Sequence, residues 1–411
     1  MKGAFEGLQI ATLIALLILS YGSAGTTFSC LAASALLIGF GWSVRKARAN
    51  SLDWAMLLVA VYEIPSLLLS HYPANGIQTT TIILLAVSCY LLTRLIAPTL
   101  RRDLVLPGLV GVGGVALACF AVGQFNHRVH SLRENGLTDI VAFRAWLITP
   151  PSTWLLGEWL TLLLLTLPLA LAVPVFLWLD RRRVLAASTA LMSAAIAAAL
   201  QLSCSRAIFW GLIISPAVTA VTAAVYRIVR TKSALIAITA ALSVTGLVLA
   251  GENVRYPGVL EAYMGRHTSQ LRSTEGRLAI WKRSTEVFKL SPFWGVGSGN
   301  APLFLTSSAE QEETTGFASR TFSLPIQVLT EKGAIGATLY LAVLALAGRE
   351  AHRKLRNPKV PPQIKGVTCC LMAGVIAVLF RELTYSSLLE HAATAMLFTM
   401  SLALLAAEEP A

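Results

Sequence analysis

Charge is what this 411-residue sequence has least of: 13% of its residues are Asp, Glu, Lys or Arg, while 55% are hydrophobic. Soluble domains carry about 25% charged residues, so the chain cannot cover itself with water-facing groups, and a soluble globular protein is excluded. Mean hydropathy is +0.68. Metal and redox signatures are also missing. The six cysteines (Cys30, Cys89, Cys119, Cys204, Cys369 and Cys370) stand at no ligand spacing from a histidine, and the adjacent pair 369–370 is no Cys-x-x-Cys. They read as small apolar packing residues. No Asp-x-Asp nucleotide-sugar motif occurs. Acidic residues are scarce too, 21 against 33 basic ones, for a net charge of +12. The basic residues lie between apolar runs and form no compact basic domain, which argues for membrane orientation and against nucleic acid as a partner. The first run, Leu8–Ser20, has no convincing cleavage site and a second run follows closely, so it is expected to stay as a span.

Long apolar runs are what the chain has instead. A helical span needs about 20 mostly apolar residues, and twelve runs qualify: 5–22, 25–43, 53–71, 78–97, 104–124, 155–179, 184–204, 207–226, 233–250, 331–348, 366–381 and 390–407. They predict an all-α polytopic membrane protein with about twelve transmembrane helices. Arg45, Lys46 and Arg48 follow the second run, Arg101 and Arg102 the fourth, Arg181–Arg183 the sixth. Arg227, Arg230 and Lys232 follow the eighth, and six Lys or Arg between 349 and 365 follow the tenth. The hairpins 23–24 and 72–77 carry none. The positive-inside rule then puts both termini in the cytoplasm and residues 125–154 and 251–330 outside. The expected organisation is 1–250 with spans one to nine, 251–330 as a large helical periplasmic loop, and 331–411 with spans ten to twelve. A loop of that length is expected to be functional.

Within it, "STEGRLAIWKRSTEVFKLSPFWGVGSGN" runs from Ser273 to Asn300. At helical spacing Leu278, Trp281, Val287 and Phe288 share an apolar side. Pro292 ends the helix, and Gly295, Gly297 and Gly299 permit a tight turn. Without a preceding strand, Gly-x-Gly-x-Gly is no dinucleotide site. The helix suits a segment lying on the bilayer surface or one that presents Arg277 to a ligand. In "LSCSRAIFWG" (Leu202–Gly211), Arg206 stands at the outer ends of two spans. Its planar fork suits phosphate oxygens, and it also suits an anchor that snorkels to the headgroups. Glu63 lies mid-span beside Pro65, either as a functional group or as part of a hydrogen-bonded kink.

"SRAIFWG", "EGRLAIW…SPFWGVGSGN" and "LPIQVLTEKGAIGATLY" (Leu324–Tyr340) together resemble the O-antigen ligase and polymerase superfamily of bacterial membrane glycosyltransferases. Members show Ser-Arg or Thr-Arg between two spans, Arg-x-x-x-Trp and Pro-x-x-Gly-x-Gly in a periplasmic loop, then His-Asn-x-x-Leu-Gln-x-x-x-Glu-x-Gly-x-x-Gly. Gln327, Glu331, Gly333 and Gly336 fit the last element in register. The resemblance implies a GT-C-like inner-membrane enzyme that moves a glycan from an undecaprenyl-diphosphate-type carrier to an acceptor hydroxyl on a glycan, lipid or protein. No cofactor or metal is expected. Arg277 and Arg206 would stabilise charge on the leaving diphosphate, and Arg320, Trp281, Gly295, Gly297 and Glu331 would bind or shape around substrate. The chain departs from the family where His-Asn falls on Phe322-Ser323. Either another group serves as base, among Glu331, Glu382, His267 and His391, or the chain is a polymerase-like, divergent or inactive member. Glu382 is favoured, because the last outer connection can close over the loop. The rival class is a polysaccharide or lipid-linked glycan transporter, which would show two related halves and mid-bilayer binding groups.

Overall fold

The computed structural model describes residues 49–102, 183–201, 206–229, 268–305, 321, 323–384 and 387–407, with scattered positions within 118–170 and 243–254. No strand occurs among the described residues. The helices are α1 (Ser51–Leu68), α2 (Pro73–Arg102), α3 (Arg183–Gln201), α4 (Arg206–Val225) and α5 (Thr268–Leu290). They continue with α6 (Ala301–Leu305), α7 (Leu324–Arg356), α8 (Pro362–Glu382), α9 (Ser387–Glu390) and α10 (Ala392–Ala406). Helices α1, α4, α7 and α8, with Pro73–Ile96 of α2, are long and apolar enough to cross a membrane, and Thr394–Ala406 is a shorter apolar helix. The chain is a multi-pass membrane protein. The expected spans 5–22 and 25–43, and most of 104–124, 155–179 and 233–250, lie outside the described residues.

Local chemistry sets the helix ends. Asn50 and Asp53 form a reciprocal capping box, each side chain 2.9 Å from the other's backbone nitrogen, so α1 starts two residues before the apolar run. Prolines open α2 and α8, where a missing N–H costs nothing. The largest departure is α7. The sequence suggests a span at 331–348, yet the helix begins at Leu324 and carries the basic residues Arg353, Lys354 and Arg356 in its last turn.

Contacts group the chain into two compact units. Unit 1 holds Met1–Leu100, Thr274–His352 and Glu382–Ala411; unit 2 holds Arg101–Ser273 and Arg353–Arg381. In unit 2, Leu163, Leu164, Leu167, Ile196, Leu200, Ile208, Leu212 and Ala377 form one apolar core. In unit 1 the two ends are chemically distinct. At one end Asp53 accepts from Tyr90 Oη (2.7 Å) and from Arg94 Nε and Nη2 (2.9 and 3.1 Å), while Arg349 donates to Ser51. The start of α1, Arg94 of α2 and Arg349 of α7 therefore share this end. At the other end, α1 finishes and α2 begins against the glycine-rich turn.

Candidate functional site

Helix α5 stops at Leu290, and Pro292–Asn300 folds back into unit 1 as a wedge. Its seat is a break in α7. Gly333 has φ 63° and ψ −168°, a conformation open to glycine but not to side-chain-bearing residues. The break frees backbone groups that a continuous helix would pair internally, and the wedge takes them up. Ala334 N–H donates to Pro292 O (2.8 Å) and Ile335 N–H to Phe293 O (3.3 Å). In return Val296 N–H donates to Thr330 O and Gly297 N–H to Glu331 O, both at 3.0 Å. Buried backbone freed from a helix persists only where partners satisfy it, and here four backbone bonds do so.

The glycines permit this approach. A β-carbon on Gly295 would strike the Glu331 backbone, one on Gly297 would strike Ser70, and one on Gly299 would lie 2.7 Å from Asn75 O. All three have positive φ. The residues between them point inward: Val296, Ser298 and Asn300 are fully buried. Asn300 Nδ2 donates to Ser70 Oγ and to Val296 O (3.0 Å). Glu331 fixes the far side of the turn, its Oε2 accepting from Gly299 N–H (3.0 Å) and its Oε1 from Gln327 Nε2 (3.1 Å).

Deeper in, Lys332 Nζ donates to both Glu63 Oε2 and Ser298 Oγ, and both charged side chains are fully buried. Ser298 Oγ also donates to Glu63 Oε2 (3.1 Å) and lies 3.2 Å from Ser66 Oγ. Glu63 sits five residues before the end of α1, about 8 Å along its axis. Tyr62 donates to Lys332 O (2.6 Å) and stacks on Trp294, with centroids 6.2 Å apart. The mid-span carboxylate thus belongs to a network shared by α1, the wedge and α7.

Helix α5 presents a different face from the one its apolar residues suggest. Ile280, Ser284 and Val287 are buried, whereas Leu278 is 56% exposed. Ser284 fits the packed row because it is small and returns its hydroxyl to Ile280 O (2.9 Å). Trp281 packs beside Ile280 and Leu305, and its Nε1 donates to Thr321 O (3.0 Å). Arg283 Nε holds Phe304 O at 3.2 Å.

The residues singled out from sequence fall into separate groups. Gly295, Gly297 and Glu331 meet in the wedge. Arg277 and Trp281 are one turn apart on α5, and Arg277 lies about 20 Å along the helix from its end. Glu382 is buried and accepts from Leu388 N–H (3.2 Å) in the first turn of α9. Arg206 opens α4 in unit 2. Arg320, Phe322 and His267 lie outside the described residues, and His391 stands at the N-cap of α10 without a side-chain cap bond. No group of three or more His, Cys, Asp or Glu able to hold a metal occurs among the described residues. Sequence reasoning missed Lys332. The available signal was the mid-span Glu63, which at that depth requires a partner of opposite charge.

Residues 159–341 match the family model described as O-antigen ligase. Over that segment the chain is similar to O-antigen ligases. The match covers just under half of the chain and takes in α4, α5, the wedge and α7 as far as Leu341, so Arg206, Arg277, Trp281, Glu331 and Lys332 lie within it. Glu63 and Glu382 lie outside it. Among curated proteins, none matches the chain. The family supports a membrane glycan ligase or polymerase kind of function.

Proposed function

We propose that this O-antigen ligase-like protein transfers a glycan from an undecaprenyl-diphosphate-type carrier to an acceptor hydroxyl, at the periplasmic face of the bacterial inner membrane. The observation that carries the proposal is the position of the matched loop in unit 1. The wedge that ends α5 docks at the end opposite the Asp53–Arg94 and Arg349–Ser51 contacts, and in sequence α2 and α7 run from those contacts toward the basic residues Arg101–Arg102 and Arg353–Arg356. With basic connections inside, the wedge faces out, where a lipid-linked glycan would be presented, and both termini are cytoplasmic.

Cleaving the bond between sugar and diphosphate builds negative charge on the leaving oxygen, and fixed guanidinium groups favour that state over the ground state. Arg277 takes this role in unit 1, and the family resemblance assigns Arg206 to the same charge and Arg320 to substrate binding. Trp281 ties α5 to Thr321 and so orients the face that bears Arg277. Gly295, Gly297 and Glu331 act as scaffold, since protein atoms fill the space around them. With both Glu331 oxygens engaged, Glu382 is the group assigned to accept the acceptor's proton. It shares unit 1 with Arg277, and Leu388 N–H orients it. No metal or cofactor is assigned a role.

Transport draws its best support from the broken helix α7, because transporters line substrate sites with such breaks. Here the freed backbone groups are taken by the wedge instead of remaining open to a passenger. The deciding test is Arg277→Lys and Arg206→Lys, assayed for transfer in membranes. A point ammonium cannot replace a bidentate fork, so transfer should fall about 100-fold at normal membrane levels. Full activity in both variants would reduce these residues to surface anchors.

A further inference from the structure

The buried Lys332–Glu63 pair has no role in the transfer chemistry above. Burying two charges costs more than packing apolar side chains of similar size, so such a pair is weak evidence for stability and better evidence for fixing a register. Glu63 Oε1 adds to that cost, being buried with no hydrogen-bond partner among the described residues. What needs its register fixed is the wedge. The glycines already exclude a slip by one residue, because a β-carbon at any of their three places would strike Glu331, Ser70 or Asn75, but their alternate spacing lets a slip by two keep glycine at two of those places.

Ser298 breaks that degeneracy. Its hydroxyl accepts from Lys332 and donates to Glu63, so it alone in the turn bridges both charges. A slip by two brings Val296, which has no polar atom, or the bulkier Asn300 to its place. We propose that Lys332 and Glu63 are a positioning pair that reads Ser298, sets the register of the Pro292–Asn300 wedge, and through it seats the α5 segment bearing Arg277 and Trp281. The proposal rests on the glycan-transfer reading only for its effect on activity. Lys332 lies inside the family match and Glu63 outside it, so the pair joins the ligase-like segment to α1.

The test uses full-length protein in membranes. Lys332→Met alone leaves Glu63 buried and uncompensated and can fail to fold, so the informative variant is Glu63→Leu with Lys332→Met, which removes both charges. Its membrane level and thermal stability should stay near native. A Val296→Cys reporter, fully buried in the native wedge, should react with a small thiol reagent about tenfold faster when both charges are gone. In the background without the reporter, kcat for transfer should fall with KM retained. The charge swap Glu63→Lys with Lys332→Glu, which rebuilds a pair around Ser298, should recover protection and transfer together. Native labelling with native transfer in the apolar pair would overturn the proposal, because the wedge would then hold its register without the charges. Native labelling with lost transfer would also overturn it, since the pair would then act in the chemistry itself. Labelling is read without any glycan, so failure of the transfer reading leaves that arm standing.

Discussion

Where unit 2 fills its core with Leu163, Leu164, Ile196, Leu200 and Leu212, unit 1 buries Glu63, Lys332, Ser298, Glu331 and Asp53 among its helices. In lipid the two solutions differ in what they specify. Apolar side chains gain little from leaving hydrocarbon, so close packing must hold the helices together. Unit 2 does this with small residues at contacts: a β-carbon on Gly211 would lie 2.9 Å from Leu164, and one on Gly374 would lie 2.6 Å from Leu165 O. Such packing tolerates small shifts. A polar network does not, because each displaced donor or acceptor is left bare in a medium that cannot solvate it. Unit 1 has more to hold in place, namely a non-helical wedge docked on a broken helix.

The sharpest way to break the contrast is Gly333→Ala. The native φ of 63° with ψ −168° is closed to alanine, and the new β-carbon would strike the Phe293 carbonyl backbone. Strain in that region costs about 1–3 kcal/mol by itself, and backbone cannot move aside as a side chain tip can. Folded protein recovered from membranes should drop severely, and any that remains should lack transfer activity. Near-normal yield with full transfer would mean that the break in α7 is not needed.

A smaller effect is expected from Glu331→Gln, which keeps shape and removes charge. The Gly299 N–H loses a charged acceptor, and bonds to charged groups contribute roughly 1 kcal/mol more than neutral ones. Thermal stability in detergent should fall by about that much, and transfer should fall several-fold while Arg277 stays intact. An unchanged melting curve would remove Glu331 from the wedge's support.

Much of this was legible in the chain, and the gaps have physical causes. Periodicity and hydropathy located α1, α4 and α8 to within a few residues, because each is one apolar helix, with a capping box at the start of α1 and a proline at the start of α8. Pro292 and the three glycines marked the end of α5 and the turn. The span of α7 was begun too late because Leu324–Lys332 is short and ends in Glu331 and Lys332, so the long apolar run begins only past the break. The buried face of α5 was misjudged because Ser284, which sits at its centre, looks hydrophilic in a pattern count. Glu63 stood out as a charge at membrane depth, but its partner is 269 residues away. Nothing in one sequence pairs positions so far apart, and Lys332 stands next to Glu331, the glutamate of the motif, at a position the motif leaves open.

The smallest effect tests unit 2 on its own terms. Ser193 Oγ donates to Ala170 O at 2.6 Å, a buried hydroxyl beside the apolar core. If unit 2 depends on packing, this bond is an accessory. Interhelical hydrogen bonds in membranes average about 0.6 kcal/mol, and alanine is a better helix former than serine, which offsets part of the loss. Ser193→Ala should therefore shift thermal unfolding barely beyond error and leave transfer unchanged, measured beside Glu331→Gln in the same detergent. A loss as large as that of Glu331→Gln would erase the contrast, because unit 2 would then rely on a polar contact as unit 1 does. A null result sharpens it: of two buried polar groups, only the one that holds non-helical backbone in place would matter to the fold.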